Sequence, residues 1–218
     1  MIDPKIIQRI IDLIKIRRVN YEYFFKQLKS PVWISALKEH GFFSNPPEPV
    51  RESDYISFPF WPESSYLARM SSEAPEEVCE IIIHHIPDTD NIHIHEDFVD
   101  AALNMPANFA AKIAEKEIRW IEKQDQLHLL LPDKLGQLIV HLAKGGETES
   151  ALRLARTLLA ISAESPSIPE TEDEDKKQLY SLLLSPKPRP KFDIWEYEEI
   201  LQKYIPSLVE AAGEKTLE

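Results

Sequence analysis

Four of the seven histidines fall within twelve residues: His84, His85, His93 and His95, with Glu96 and Asp97 beside them. Imidazoles and carboxylates at short spacing are the donor set of zinc and iron sites. One reading of 84–96 is therefore a metal-binding or metal-dependent catalytic centre. The run His95-Glu96-Asp97-Phe98-Val99 has no second histidine one helical turn on, so it is not a metalloprotease helix. The competing reading is local. Asp88-Thr89-Asp90-Asn91 makes a turn, and His95, Glu96 and Asp97 fill a first helical turn, where acids suit the dipole. His84 and His85 then end the preceding helix, where histidine suits the opposite pole.

Other chemistries find less support. The single cysteine, Cys79, cannot form an internal disulfide or a multi-cysteine zinc site. A reactive thiolate needs an electropositive, partly exposed setting. Cys79 falls on an apolar face with Glu76, Glu77 and Glu80 nearby, and is read as a core residue. The glycines, Gly41, Gly136, Gly145, Gly146 and Gly213, match no phosphate-cradling loop. No G-x-S-x-G nucleophile elbow occurs. The 37 acids are too many to single out a catalytic pair. Pro46, Pro49 and Arg51 have the spacing of a short proline-rich ligand, against which stands packing within the chain. No catalytic, cofactor-binding or metal-ligating residue is assigned, no cofactor is expected, and the balance leans away from an enzyme.

Bulk composition narrows the partners. The chain has 218 residues, 25 bases and 37 acids, for a net charge of −12. Such a charge opposes binding to nucleic-acid phosphates and to anionic membranes. No run of about 18 apolar residues is present, so no membrane span is expected. Met1-Ile2-Asp3-Pro4-Lys5 does not read as a secretory signal. With one cysteine, the expected compartment is the reducing cytoplasm.

The elements that would carry these residues are helices. Prolines outnumber glycines 17 to 5 and stand before helical periodicity at Pro4, Pro31, Pro62, Pro75, Pro106 and Pro132. Proline suits the first helical turn because its missing N–H would have no partner there. Gly41 falls where a left-handed helix cap belongs. The sets Val78, Cys79, Ile82, Ile83, Ile86 and Phe98, Val99, Ala102, Leu103 each line one helix face. So do Phe109, Ala110, Ile113, Ala114, Trp120, Ile121 and Leu135, Leu138, Ile139, Leu142, Ala143. Ala151, Leu152, Ala155, Leu158 and Leu159 complete the series.

The expected fold is a single all-α domain over 1–218. It divides into N-terminal helices (1–41), a Pro/aromatic loop (42–60), helix-pair repeats (61–161), an acidic and proline-rich insertion (162–191) and C-terminal helices (192–218). The three pairs run over 62–86, 94–122 and 132–161, with breaks at Ala74-Pro75, Met105-Pro106 and Gly145-Gly146. The loop residues Phe42, Phe43, Tyr55, Phe58 and Phe60 are expected to pack on the helices. Within the insertion, 162–177, with its acidic run Glu172-Asp173-Glu174-Asp175, reads as mobile and 176–184 as a short helix. Pro186-Lys187-Pro188-Arg189-Pro190 reads as a stiff spacer. Asp193 caps a last helix that Pro206 is expected to break or kink, and which has no clear stop, as at the front of a longer polypeptide. Lys187, Arg189 and Lys191 form a small basic patch beside the acidic run.

The segment Leu138-Ile139-Val140-His141-Leu142-Ala143-Lys144-Gly145-Gly146, followed by Ala151-Leu152-Arg153-Leu154-Ala155-Arg156-Thr157-Leu158-Leu159, resembles a helix pair of the HEAT-like or tetratricopeptide α-solenoid families. The Trp and Gly-Tyr of the tetratricopeptide pattern are missing, and breaks 31 and 40 residues apart suit HEAT-like repeats better. The resemblance implies stacked hairpins, the alternative being a compact helical bundle. It also implies a scaffold that binds another protein or the remainder of its own polypeptide. The alternative function is the metal-dependent one at 84–96.

Overall fold

The computed structural model describes residues 4–53, 55–164 and 187–215, and these are mostly helical. In chain order they form α1 (Pro4–Lys15), α2 (Arg18–Gln27), α3 (Trp33–Glu39), β1 (Val50–Arg51), β2 (Ile56–Ser57), α4 (Pro62–Met70) and α5 (Pro75–His84). Then follow α6 (Ile92–Leu103), α7 (Ala107–Ile121), α8 (Leu131–Lys144), α9 (Thr148–Leu158), β3 (Ile161–Glu164), β4 (Lys187–Pro190) and α10 (Ile194–Lys215). The chain is all-α, and its helices pack against one another.

The packing order is regular. The substantial contacts join each helix to its neighbour in sequence or to the next but one. Helices α2, α4, α6, α8 and α10 follow one another in one layer, and α3, α5, α7 and α9 in a second. A single hairpin cannot bury its own apolar face, so the next hairpin must cover it. The buried stripes do this: Val78, Cys79 and Ile82 on α5, Ala110, Ile113 and Ala114 on α7, Leu135, Leu138, Ile139 and Leu142 on α8.

Polar rungs run through both layers. Ser64 on α4 bonds Asp97 on α6 at 2.5 Å, and Lys134 on α8 reaches Asp100 on α6 at 2.7 Å. Tyr204 of α10 donates to Asp133 of α8 at 2.6 Å. In the second layer Arg153 on α9 meets Glu115 on α7 at 2.7 Å. At the N-terminal end an aromatic cluster takes over. The Phe25 ring lies 5.0 to 6.1 Å from those of Tyr21, Phe24, Phe42 and Tyr66.

The helix starts follow the prolines. Pro62, Pro75 and Pro132 occupy first-turn positions, and Pro106 immediately precedes α7. Breaks fall at Ala74-Pro75, Met105-Pro106 and Gly145-Gly146, as expected. Gly41 and Gly146 take φ of +72° and +90°, the left-handed conformation that ends a helix cheaply only with glycine.

The structure departs from expectation in four places. The third pair ends at Leu158 rather than 161, because β3 takes over and pairs antiparallel with β4 in the register Ile161↔Pro190. The spacer at 187–190 is extended, but paired. Loop 42–60 contains the β1–β2 hairpin; Phe42 and Phe43 are buried and Phe58 half-buried, whereas Tyr55 and Phe60 are exposed. Pro206 lies inside one continuous helix of 22 residues. Proline removes the bond to the Gln202 carbonyl. Packing of Ile200, Tyr204 and Leu208 on both sides of it keeps the helix whole. The acidic run at 172–175 and the helix expected at 176–184 lie outside the described residues.

Two glycines test the packing in opposite directions. A Cβ on Gly136 would sit 2.2 Å from the Tyr204 ring, whereas one on Gly213 meets nothing within 4 Å. Gly136→Ala is expected to destabilise by about 1–3 kcal/mol, the usual cost of overpacking. Gly213→Ala is expected to stabilise by about 0.5–1 kcal/mol through helix propensity. Urea unfolding followed by circular dichroism measures both.

Candidate functional site

The histidines of the 84–96 stretch separate. His84 ends α5 exposed, and His85 caps it, 3.4 Å from Glu80. His93 pairs with Glu96 one turn on, at 3.1 Å. His95 alone turns inward and is 2% exposed. Helix α6 begins at Ile92, two residues before the expected start at 94, with the Asn91 side chain accepting from the His93 N–H. The Asn91 amide also donates to the carbonyls of Pro47 and Pro59, tying loop 42–60 to the start of α6. Among the described residues, no group of three or more His, Cys, Asp or Glu side chains is placed to hold a metal ion.

His95 instead forms a buried unit with α7. Its Nδ1 lies 2.8 and 3.0 Å from the two oxygens of Glu117, which is 0% exposed. Its Nε2 donates to the Thr89 carbonyl at 2.9 Å. A carbonyl only accepts, so Nε2 carries a proton, and the Nδ1–carboxylate contact holds another. The Trp120 ring stacks on the imidazole with centroids 3.7 Å apart and an 18° tilt. Trp120 Nε1 in turn donates to Asp90 at 3.2 Å, and Gln124 binds the same Asp90 oxygen.

Lys116 precedes Glu117 and is almost as enclosed. Its ammonium donates to the Ile86 carbonyl at 3.0 Å and stands 3.6 Å from Asp88. Burial pulls its pKa below the usual lysine value, opposed by Asp88 and Glu117. Together these groups fix the 86–91 turn onto α7.

This turn walls a cavity of about 430 Å³ lined by Asp88, Asp90, His95, Lys116, Arg119, Trp120 and Lys123. A second cleft of about 830 Å³ shares Asp90, Trp120 and Lys123 with it. From there it extends past Arg51 and Phe58 of the β1–β2 segment to His128, Arg189 and Lys191. Lys191 also bonds the Ile121 and Gln124 carbonyls, at 3.0 and 2.6 Å, where α7 ends. A cation suits that pole of the helix dipole. Arg51, Arg119 and Lys123 are exposed and have no hydrogen-bond or ion-pair partner among the described residues. The expected basic patch thus contributes Arg189 and Lys191 to the cleft, and the proline-rich stretch contributes Arg51, while the Pro47 carbonyl is used internally.

Cys79 is buried, and desolvation raises its thiol pKa, as expected. The charge that acts on it is Lys112, which opposes that rise, rather than the neighbouring glutamates.

Two enclosed acids, Glu63 buried and Asp97 half-buried, stand apart from the cleft. Tyr21 donates to Glu63 Oε1, while Oε2 is buried with no partner among the described residues. Burial holds the Glu63 pKa above the usual carboxylate value, against the Tyr21 bond. Asp97 is pushed up to about 6 by burial, against the bond from Ser64. Ser64 has one proton and two acceptors, Asp97 and the Trp61 carbonyl. Protonated Asp97 would satisfy both contacts.

Comparison with protein-family models, curated proteins and solved structures finds no match, so function rests on the chain's own geometry.

Two measurements check this geometry. Glu117→Ala is expected to destabilise by at least about 1–3 kcal/mol, since it leaves the buried His95 Nδ1 without its partner. Adding His95→Leu should recover part of that loss, giving a double-mutant coupling in urea unfolding. Asp97 titrates at 3.8 when unfolded and near 6 when folded, so the folded state binds more protons between those values. Its contribution to stability is full below about pH 4 and falls as pH rises through about 6, by at most about 3 kcal/mol. Asp97→Asn should flatten that slope in melting curves taken across the window.

Proposed function

We propose that this chain is a non-enzymatic helical-repeat module, of HEAT-like or tetratricopeptide-like kind, that binds an acidic segment of another protein along the cleft beside Trp120. The observation that carries the reading is the set Arg51, Arg119 and Lys123, exposed around Trp120 and without a hydrogen-bond or ion-pair partner among the described residues. In a chain of net charge −12, cations around an indole that pair with no acid among the described residues suit an acidic partner. Trp and Arg are the side chains that most often dominate protein–protein contacts. The i, i+2 packing of helices supports the repeat assignment, because such stacks present their loop edges as continuous surfaces. A cytoplasmic location belongs to the same reading: Cys79 is buried as a reduced thiol, and no helix among the described residues is long and apolar enough to cross a membrane.

The test uses a fluorescent peptide rich in Asp and Glu and a Lys-rich control, titrated with the chain and read by anisotropy. The acidic peptide should bind, with a salt-dependent affinity, and the control should not. Arg119→Glu with Lys123→Glu should weaken binding about tenfold or more, about 1.4 kcal/mol, with an unchanged circular dichroism spectrum. Equal binding of both peptides, or indifference to the double substitution, overturns the reading.

A further inference from the structure

A stack of helix pairs has two ends, and a helix at an end lacks a neighbour on its outer side. At the N-terminal end, α1 packs on α2 through a stripe of Ile7, Ile10, Ile11 and Ile14. Its opposite stripe, Ile6, Arg9, Leu13 and Ile16, is exposed. Val19 and Tyr23 continue exposed apolar surface onto α2, at 74% and 65%. At the C-terminal end, α10 buries Ile200, Tyr204 and Leu208 and exposes Trp195, Glu198, Gln202 and Val209 on the other side. Trp195 is 78% exposed, an unusual setting for the largest apolar ring.

The two ends are opposite in charge. Residues 4–29 carry seven bases against two acids, whereas 193–215 carry six acids against two bases. Arg9 and Arg17 at one end, and Glu198 and Glu199 at the other, are exposed and have no ionic partner among the described residues. At the acidic end Glu196 is partly enclosed and held up by burial and by the nearby Asp133, Asp193 and Glu199. A cation placed there would relieve that repulsion.

We infer that the basic, apolar face of α1–α2 of one copy docks on the acidic, apolar face of α10 of a second copy, head to tail. Each patch is apolar in its anchors and charged between them, and the signs match only between unlike ends. Like ends would set Arg9 against Arg9 or Glu198 against Glu198, so a symmetric dimer through either face is disfavoured. A contact between unlike faces leaves one face of each kind free, and so extends into short chains or closes into a ring.

The experiment is sedimentation velocity of the full chain from about 1 μM to about 200 μM, where a micromolar contact fills. The mass should grow with concentration and shift back toward monomer as salt rises from about 0.05 M to about 0.5 M. Leu13→Asp blocks the head and Trp195→Glu blocks the tail; both positions are exposed, so the fold should survive, as circular dichroism will verify. Each variant alone should be monomeric, and their mixture should form a one-to-one dimer and nothing larger. That complementation is the signature of unlike faces meeting. A wild-type chain that stays monomeric throughout overturns the inference, whether or not α1 then binds anionic vesicles. So does a variant that dimerises by itself, which would mark a like-to-like contact.

Discussion

The structure depends on one packing constraint: from α2 onward, each helix must be covered by a helix two places away in sequence. Within a pair, α6 and α7 or α8 and α9 touch along one side only, and each leaves an apolar stripe that its partner does not reach. The stripe on α7 is partly alanine, at Ala110, Ala111 and Ala114. Small side chains let a neighbouring helix approach closely, so α7 sits between α5 and α9. Gly136 does the same on α8, where the Tyr204 ring of α10 lies against its backbone. The same ring sends its hydroxyl to Asp133, so one aromatic residue supplies both the close contact and the polar rung beside it.

Charged side chains inside this array follow from the same geometry. Glu117 falls four residues after Ile113 and seven after Ala110, on the buried stripe of α7. A carboxylate there costs desolvation unless it is paired. His95 comes from α6, the other half of the hairpin, to meet it. The pair therefore fixes how the two helices sit together. It also fixes Trp120, three residues further along α7, and with it the inner wall of the cleft. Lys116, on the adjacent flank, ties the incoming turn by way of the Ile86 carbonyl and Asp88.

Much of the fold was legible because it is written in local signals. Proline before an apolar 3.6-residue period marks a helix start without reference to the rest of the chain, as at Ala74-Pro75 and Met105-Pro106, while Gly145-Gly146 marks the third break. What could not be read depends on partners distant in sequence. Residues 161–164 continue the periodicity of α9 poorly but are not strand-like by themselves; they become a strand because 187–190 lies alongside. Proline-rich segments seldom join sheets, since each proline removes a donor, but an edge pairing of four residues tolerates Pro188 and Pro190. Pro206 is the reverse case: local chemistry says stop, and packing on α8 overrides it. For the site, four histidines close in sequence drew attention, yet neighbours on a helix one or two positions apart face different directions. Only His95 entered the interior. The available clue was Glu117, a charge at an apolar position in a helix whose stripe was otherwise correctly drawn.

The uneven distribution of charge has a physical consequence for a stack of this kind. A net charge of −12 spread evenly would repel any second copy and any acidic partner alike. About half of the 25 bases instead lie in the first two helices or line the cleft beside Trp120, while α10 is left acidic. At physiological salt, interactions are screened beyond about 8 Å, so a partner experiences the local patch rather than the total. Both proposals rest on this local concentration of bases, at two separate places, within an acidic chain. Those places lie on different elements, α7 with its flanking strands in one case and α1–α2 in the other. Charge reversal at Arg119 and Lys123 thus leaves the terminal face unaltered, and Leu13 can be changed without touching the cleft.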